Sequence, residues 1–292
     1  MSAEESSSAA GGAGRQVRLY LGESDVEQHD YDLPQGWVCV RSLRSPDKDT
    51  PNEDSAAVIE VGPDALVLAV ADGVGGTPAG REASNLTLQT LSRVLTEQPP
   101  DVQSLRTPIL DAVEEANRGV IELARGAATT LVVAEVIARR LRSYHVGDSE
   151  LIGVGQRGRI KQRVVPHSPT GFAVEAGLLD EDEAVQHEAR HVLFNVIGTP
   201  DMRVEVGTAV QLAARDTVLL ATDGLLDNLY IDEIVDIIRR GPLPRAADRL
   251  VEKAHLRMGG EAKDQPSKPD DLTIVLYRPR VPARKAKKAV PA

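Results

Sequence analysis

Apolar residues along this chain recur with two periods, and the order of those periods sketches a fold. Trp37–Val40, Ser55–Val61 and Ala65–Val70 are short β-rich runs, and Gly62-Pro63-Asp64 joins the last two as a hairpin turn. The third run is apolar throughout, which predicts a central strand covered on both faces, with Asp72 just beyond its end. From Gly80 to about Leu95, and from about Val102 to Leu123, the spacing becomes helical, with Glu97-Gln98-Pro99-Pro100 as a breaker, so two long antiparallel helices are predicted. Strand patterns then resume at Thr129–Ala138, Arg140–Val146, Leu151–Gly155 and Arg159–Val165, and read as a β meander with turns at Gly147-Asp148-Ser149 and Gln156-Arg157-Gly158.

Thr170 to about Glu188 is rich in Gly and acids, carries two short helical patterns and reads as a flap inserted over about residues 168–190. After it, Arg203–Val206, Ala209–Ala213 and Thr217–Ala221 are strand-like, Asp232–Arg239 and Ala246–Met258 are helical, and Leu272–Tyr277 is a closing apolar strand. Strand runs separated by helix pairs, without regular βαβ alternation, indicate an α+β fold of mostly antiparallel sheets with helices on their outer faces. The organisation expected is a disordered tail over residues 1–16, one domain over residues 17–278 and a basic disordered tail over residues 279–292.

Composition narrows the function classes. A net charge of -10 argues against nucleic acid as the main partner, since phosphate backbones call for a basic field. The exception is the tail with Arg278, Arg280, Arg284, Lys285, Lys287 and Lys288, read as a solvated end that could touch an anionic surface. No apolar stretch approaches a membrane span, no signal-like leader opens the chain, and the single Cys39 cannot form an internal disulfide; a cytoplasmic monomer is expected.

The chemistry lies in acidic turns. Asn52-Glu53-Asp54-Ser55, Ala71-Asp72-Gly73, Gly147-Asp148-Ser149, Thr222-Asp223-Gly224 and Asp270-Asp271 each place carboxylates where an apolar run starts or stops. An ionised Asp72 at the end of a buried strand needs a cation, or else caps the helix that follows. Asp223 repeats the pattern, and Asp270 could meet it, because a strand's entry lies beside its antiparallel neighbour's exit. Paired cations held by shared carboxylates activate water and neutralise phosphoryl oxygens, so no side-chain nucleophile is needed. Cys39 lies inside an alternating strand, there is no Gly-x-Ser-x-Gly elbow, and the absence of His-Glu-x-x-His and Cys-x-x-Cys makes the donor set oxygen-rich, favouring Mg²⁺ or Mn²⁺.

In order and spacing these segments resemble the metal-dependent Ser/Thr protein phosphatases of type 2C, bacterial-like members included. The match runs through Asn52–Ser55, Ala71–Gly76, Gly126–Thr130, Val146–Ser149, His167-Ser168, Val196–Gly198, Ala221–Asp227 and Asp270–Thr273. The resemblance implies a four-layer α-β-β-α sandwich, two antiparallel β-sheets flanked by helix pairs, with two Mn²⁺ or Mg²⁺ ions at one end and a third in some members. It implies that Asp72 bridges the ions, that Gly73 offers its carbonyl, that Asp223 and Asp270 complete one ion and Glu53 or Asp54 the other, and that Asp148 serves the third. Asp72, Asp223 and Asp270 would carry catalysis: removal of phosphate from phosphoserine and phosphothreonine proteins by direct attack of a metal-bridging hydroxide, opposing a cognate kinase in signalling.

The match departs in places. The family's phosphate-gripping Arg falls at Asp49; Arg41, Arg44 and Lys48 lie just upstream and one of them could fold back to the phosphate, with Arg44 the chosen candidate. Glu150 replaces an Arg, Val74 a His, and Asp271 an Asn. The Asp49 and Glu150 departures keep a second reading open, a pseudophosphatase acting as a regulatory binding module. A third, an aspartyl nucleophile at Asp223, lacks the expected partner acid, since position 221 is Ala. His145 and His167 read as hydrogen-bonded core or loop residues.

Overall fold

A computed structural model describes residues 15–74, 78–97, 104–123 and 126–280. The tail through Gly14, the Gly75-Gly76 pair, the breaker from Gln98 to Pro100 and the basic run Arg284, Lys285, Lys287 and Lys288 lie outside these residues.

Two antiparallel sheets stack face to face. The first orders β1 (Gln16–Tyr20), β4 (Ser55–Gly62), β5 (Ala65–Ala71), β8 (Leu131–Ile137), β9 (Arg140–Val146) and β12 (Glu205–Val206), with β13 (Val210–Gln211) also on β9. The second orders β11 (Ile160–Arg163), β10 (Glu150–Val154), β14 (Thr217–Ala221), β15 (Leu272–Pro279), β3 (Gly36–Leu43) and β2 (Val26–Asp32). A small ladder pairs β6 (Gly73–Val74) with β7 (Ala128–Thr129). Helices α1 (Pro78–Glu97) and α2 (Arg106–Leu123) cover the first sheet; short α5 (Asp223–Leu226), α6 (Ile231–Ile238) and α7 (Leu243–Met258) cover the second.

The period of two along each strand creates this layering. On β5, Leu66, Leu68 and Val70 point between the sheets, against Val38, Val40, Leu220 and Val275, while Val67, Ala69 and Ala71 meet Leu88, Leu91 and Leu95 of α1. On β15, Val275 and Tyr277 face inward, and Ile274 and Leu276 meet Ala247, Leu250 and Ala254 of α7. Strands covered on both faces read as continuous apolar runs, the pattern seen at Ala65–Val70.

The strand segments from β8 to β11 are not one meander. The hairpin β8–β9 belongs to the first sheet and β10–β11 to the second, and the chain crosses between sheets at Gly147-Asp148-Ser149. Local pattern cannot distinguish a turn within one sheet from a crossing between two. Strands β1 and β2 carried no clean alternation; β2, Val-Glu-Gln-His-Asp-Tyr-Asp, is largely exposed and edges its sheet. Gln16, assigned above to the tail, opens β1. Arg278 and Arg280 belong to the sandwich: Arg278 donates to the Gly241 carbonyl at 2.6 Å, and Arg280 to the Leu33 carbonyl at 3.0 Å. The flap segment carries α3 (Pro169–Glu175), α4 (Glu181–Val185) and a short 3-10 turn over Glu188–His191.

Candidate metal centre

Strand register gathers the acids. Ser55 lies opposite Ala71, so Asp54 before β4 and Asp72 after β5 share one end of the first sheet. Ala221 lies opposite Glu150 and Ile274, so Asp148, Asp223 and Asp270 meet at the same end of the second. Thr129 and Thr130 fix the Asp72 backbone: both donate to its carbonyl, at 2.7 and 2.9 Å, and its N–H donates to the Thr130 hydroxyl at 3.0 Å. Two glycines are steric requirements here. A Cβ at Gly73 would lie 2.4 Å from the Gly80 backbone, and one at Gly224 only 1.9 Å from the Asp271 carbonyl oxygen.

The convergence forms a cleft of about 430 Å³ lined by Asp47, Glu53, Asp72, Asp148, Asp223, Asp270 and Asp271, with Lys48 and Lys268 as its only lysines among the described residues. Ser45, Gly73, Val74, His191, Leu193 and Pro269 complete its walls, so the segment just after the flap reaches the acids. Arg44 is not among the lining residues; it pairs with Asp25 at 3.1 Å on a partly exposed surface. Lys48 takes the place in the cleft for which Arg44 was expected.

Such crowding has an electrostatic cost. Burial, then the charges of Asp223, Asp54, Asp270 and Asp148, holds the Asp72 carboxyl well above the usual carboxylate range. Asp54 is raised by burial and then by Asp271, although Thr222 donates to its Oδ2 at 2.8 Å. Its other oxygen, Oδ1, is buried without a hydrogen-bond partner among the described residues. Asp148 is raised by burial and Asp223, and Asp270 by burial and Asp223 against Lys268. An excess of carboxylates, each destabilised by its neighbours, together with an orphaned buried oxygen, fits hard divalent cations with oxygen donors.

Two ammonium groups partly neutralise the cleft. Lys268 Nζ bonds Asp223, and lies 3.0 Å from Asp227 Oδ2 and 3.1 Å from Asp270 Oδ2. Lys48 Nζ meets Glu53 and, at 2.7 Å, Asp271 Oδ2. Asp271 is therefore committed: Oδ1 accepts from the Ser45 N–H and Oδ2 from the Glu53 N–H, each at 2.8 Å. An Asn there could not accept on both sides. Glu150 is likewise matched, since Arg163 reaches its carboxylate at 2.6 and 3.2 Å and continues to Glu181 of α4 at 2.8 Å. Where the family's Arg would follow Gly147-Asp148-Ser149, Glu150 instead joins an Arg163-centred pair that ties the flap to β10.

By proximity alone, the metal-like group among the described residues is His145, His167 and Glu205, whose ligand atoms lie within 4.8 Å of one another. Hydrogen bonding argues otherwise. His167 Nδ1 accepts from the Gly147 N–H at 3.1 Å and from Asn195 Nδ2 at 2.9 Å, which puts its proton on Nε2, facing Glu205 at 3.4 Å. His145 Nε2 donates to the Val165 carbonyl at 2.9 Å, and the rings stack at 4.3 Å. Burial, then His167, lowers the His145 pKa to about 4. Both rings are packing and positioning groups, as their sequence context indicated. Lys48 was one of the three upstream basic residues the sequence offered; sequence reasoning gave no role to Lys268, Asp227 and Asn228, because an isolated Lys or Asn carries no motif, and the crowded acids were the available hint that internal cations were needed.

Comparison with known proteins agrees with this geometry. The family profile described as Protein phosphatase 2C matches residues 45–254. The Ser/Thr phosphatase Stp of Listeria welshimeri is 28% identical over 235 residues, covering 77% of this chain and 89% of its own. The protein phosphatase PhpP of Streptococcus pneumoniae is 30% identical over 197 residues, covering 65% and 79%. Among solved structures, the Mycobacterium tuberculosis phosphatase PstP superposes with a TM-score of 0.69 at 26% identity, covering 84% of this chain and 98% of that one. The PstP catalytic domain in complex with two manganese ions gives a TM-score of 0.66 at 25% identity, with the same coverage. By its matched profile and by the sandwich that carries its acids, this chain belongs to the protein phosphatase 2C family.

Proposed function

We propose that the cleft hydrolyses phosphoserine and phosphothreonine esters of proteins with two Mn²⁺ or Mg²⁺ ions, opposing a Ser/Thr kinase in cytoplasmic signalling. The observation that carries this is the meeting of Glu53, Asp72, Asp148, Asp223 and Asp270, from five separate segments, in one cleft. Asp223, Asp270 and Asp72 would hold one ion; Asp72, the Gly73 carbonyl and Glu53 the other, with Asp54 behind and Asp148 toward a third. When bound, such ions activate water and neutralise developing charge on the phosphoryl oxygens.

The chain's own groups do the positioning. Thr129 and Thr130 fix the Asp72 backbone, Asp271 fixes Glu53 through its N–H, and Lys48 is the basic side chain placed to meet a phosphate in the cleft. The flap, whose following segment reaches the cleft through His191 and Leu193, is placed to select the peptide. The binding-module alternative was motivated by Asp49 and Glu150; it is weakened because Glu150 is matched by Arg163 and because Lys48 brings a basic side chain to the cleft. The test is hydrolysis of a small aryl phosphate and a phosphothreonine peptide with Mn²⁺, abolished by chelation. Turnover that persists after complete metal removal would sink the assignment.

A further inference from the structure

Lys268 is bound on every side. Its ammonium has three hydrogens, and three carboxylates surround it: Asp223, Asp227 at 3.0 Å and Asp270 at 3.1 Å. Its backbone is clamped as firmly. The fully buried Asn228 accepts from the Lys268 N–H at 2.8 Å and donates to the Lys268 carbonyl at 2.8 Å and the Gly224 carbonyl at 2.9 Å. One amide thus fixes the lysine's backbone relative to the turn that carries Asp223. Pro269 follows and limits the backbone between Lys268 and Asp270.

We infer that Lys268 is a tethered cation that competes with a divalent ion for Asp223 and Asp270. This rests on the metal-centre reading above. An ammonium and a divalent cation cannot share the same two carboxylates without strong like-charge repulsion. Metal entry therefore requires the lysine to leave Asp223 and Asp270. Asp227, outside the proposed ligand set, remains as a partner on the other side, so the ammonium can withdraw without becoming unpaired. The metal-free cage is stabilised by its own lysine, and the divalent ion binds more weakly by the work of displacing it. The device sets the concentration of metal at which the enzyme loads.

The experiment is calorimetric titration of Mn²⁺ into the chelator-stripped full chain, comparing the parent with Lys268→Met, Lys268→Gln and Lys268→Arg. Lys161→Met, which breaks a pair with Asp216 far from the cleft, is the control. Removing the competing charge is expected to tighten Mn²⁺ binding about tenfold or more. It also lowers the melting temperature of the metal-free protein and enlarges the rise on adding Mn²⁺. Lys268→Arg and Lys161→Met keep the parental affinity. Unchanged or weaker Mn²⁺ binding in both neutral variants, with the parent still binding, overturns the competition alone. No Mn²⁺ binding by any of the proteins overturns it together with the metal centre itself.

Discussion

The carboxylate cage and the stacked histidines both bury ligand-type groups, and they are joined through Gly147-Asp148, yet only one is built for a cation. In the histidine group a fixed backbone N–H and Asn195 claim His167 Nδ1 and His145 Nε2 donates to a carbonyl; the buried His145 Nδ1 lacks a partner among the described residues, but only the single carboxylate of Glu205 brings charge to the group. In the cage, negative charge exceeds what two lysines neutralise, and Asp54 Oδ1 has no partner among the described residues. Proximity of ligand atoms is therefore a poor criterion on its own. What marks a metal centre is unspent acceptor capacity together with a charge that only a cation can balance.

The largest effect should come from the cage. Asp72→Asn is expected to reduce Mn²⁺-dependent hydrolysis of an aryl phosphate by more than the ~10–100-fold typical of outer-shell partners, with an unchanged circular dichroism spectrum. His145→Gln, which retains a donor toward Val165, should leave that rate within about twofold. If the two variants lose activity equally, the contrast between the clusters collapses.

Acid separates them next. The His145 pKa is lowered by burial, so the folded state disfavours its proton, and the associated stability is complete above the ordinary value near 6.5 and lost as pH falls toward about 4. The loss amounts to about 3 kcal/mol. His145→Gln should abolish this part of the acid sensitivity, seen as a flatter urea midpoint between pH 7 and pH 4. The cage behaves in the opposite sense: Asp72, Asp54, Asp148 and Asp270 are raised, so the metal-free fold binds protons more tightly than the unfolded chain and loses stability as pH rises. Mn²⁺ should suppress that rise-linked loss and leave the histidine dependence intact. In the His145→Gln background, above about pH 7 where His167, His191 and His255 are already neutral, a metal-free protein that gains stability with rising pH would contradict the electrostatics of the cage.

A smaller effect concerns the link between the regions. Glu150→Gln leaves Arg163 facing only Glu181, and should cost about 2 kcal/mol in a denaturant titration, less than for a fully buried pair because Arg163 keeps access to water. Smallest of all, Arg44→Ala should leave KM for an aryl phosphate unchanged, since its partner Asp25 is exposed and neither residue lines the cleft. Lys48→Ala should raise KM several-fold. Reversal of that pair of results would return the phosphate contact to Arg44.

Much of this was legible in order alone. The apolar run Ala65–Ala71 followed by Asp72-Gly73 carries its own meaning, because a strand covered on both faces reads that way and only glycine admits the Gly80 backbone at that distance. Thr217–Ala221 followed by Asp223-Gly224 repeats it, and there the glycine faces the Asp271 carbonyl. The edge strand β2 was illegible because an exposed edge need not alternate, and the short pairs β12 and β13 shrank because their partners, not their residues, limit them.

The sequence by itself determined which residues are acidic, where each buried run ends and the layered fold those runs require. The tertiary structure decided which end of each strand meets which, that Gly147-Asp148-Ser149 crosses between sheets, and that Lys48 rather than Arg44 enters the cleft. It also decided that Lys268 neutralises the acids. The reason is physical: periodicity is a local property, written by the side chains of one segment. Charge balance in a buried site is a sum over segments, and it exists only once they have met.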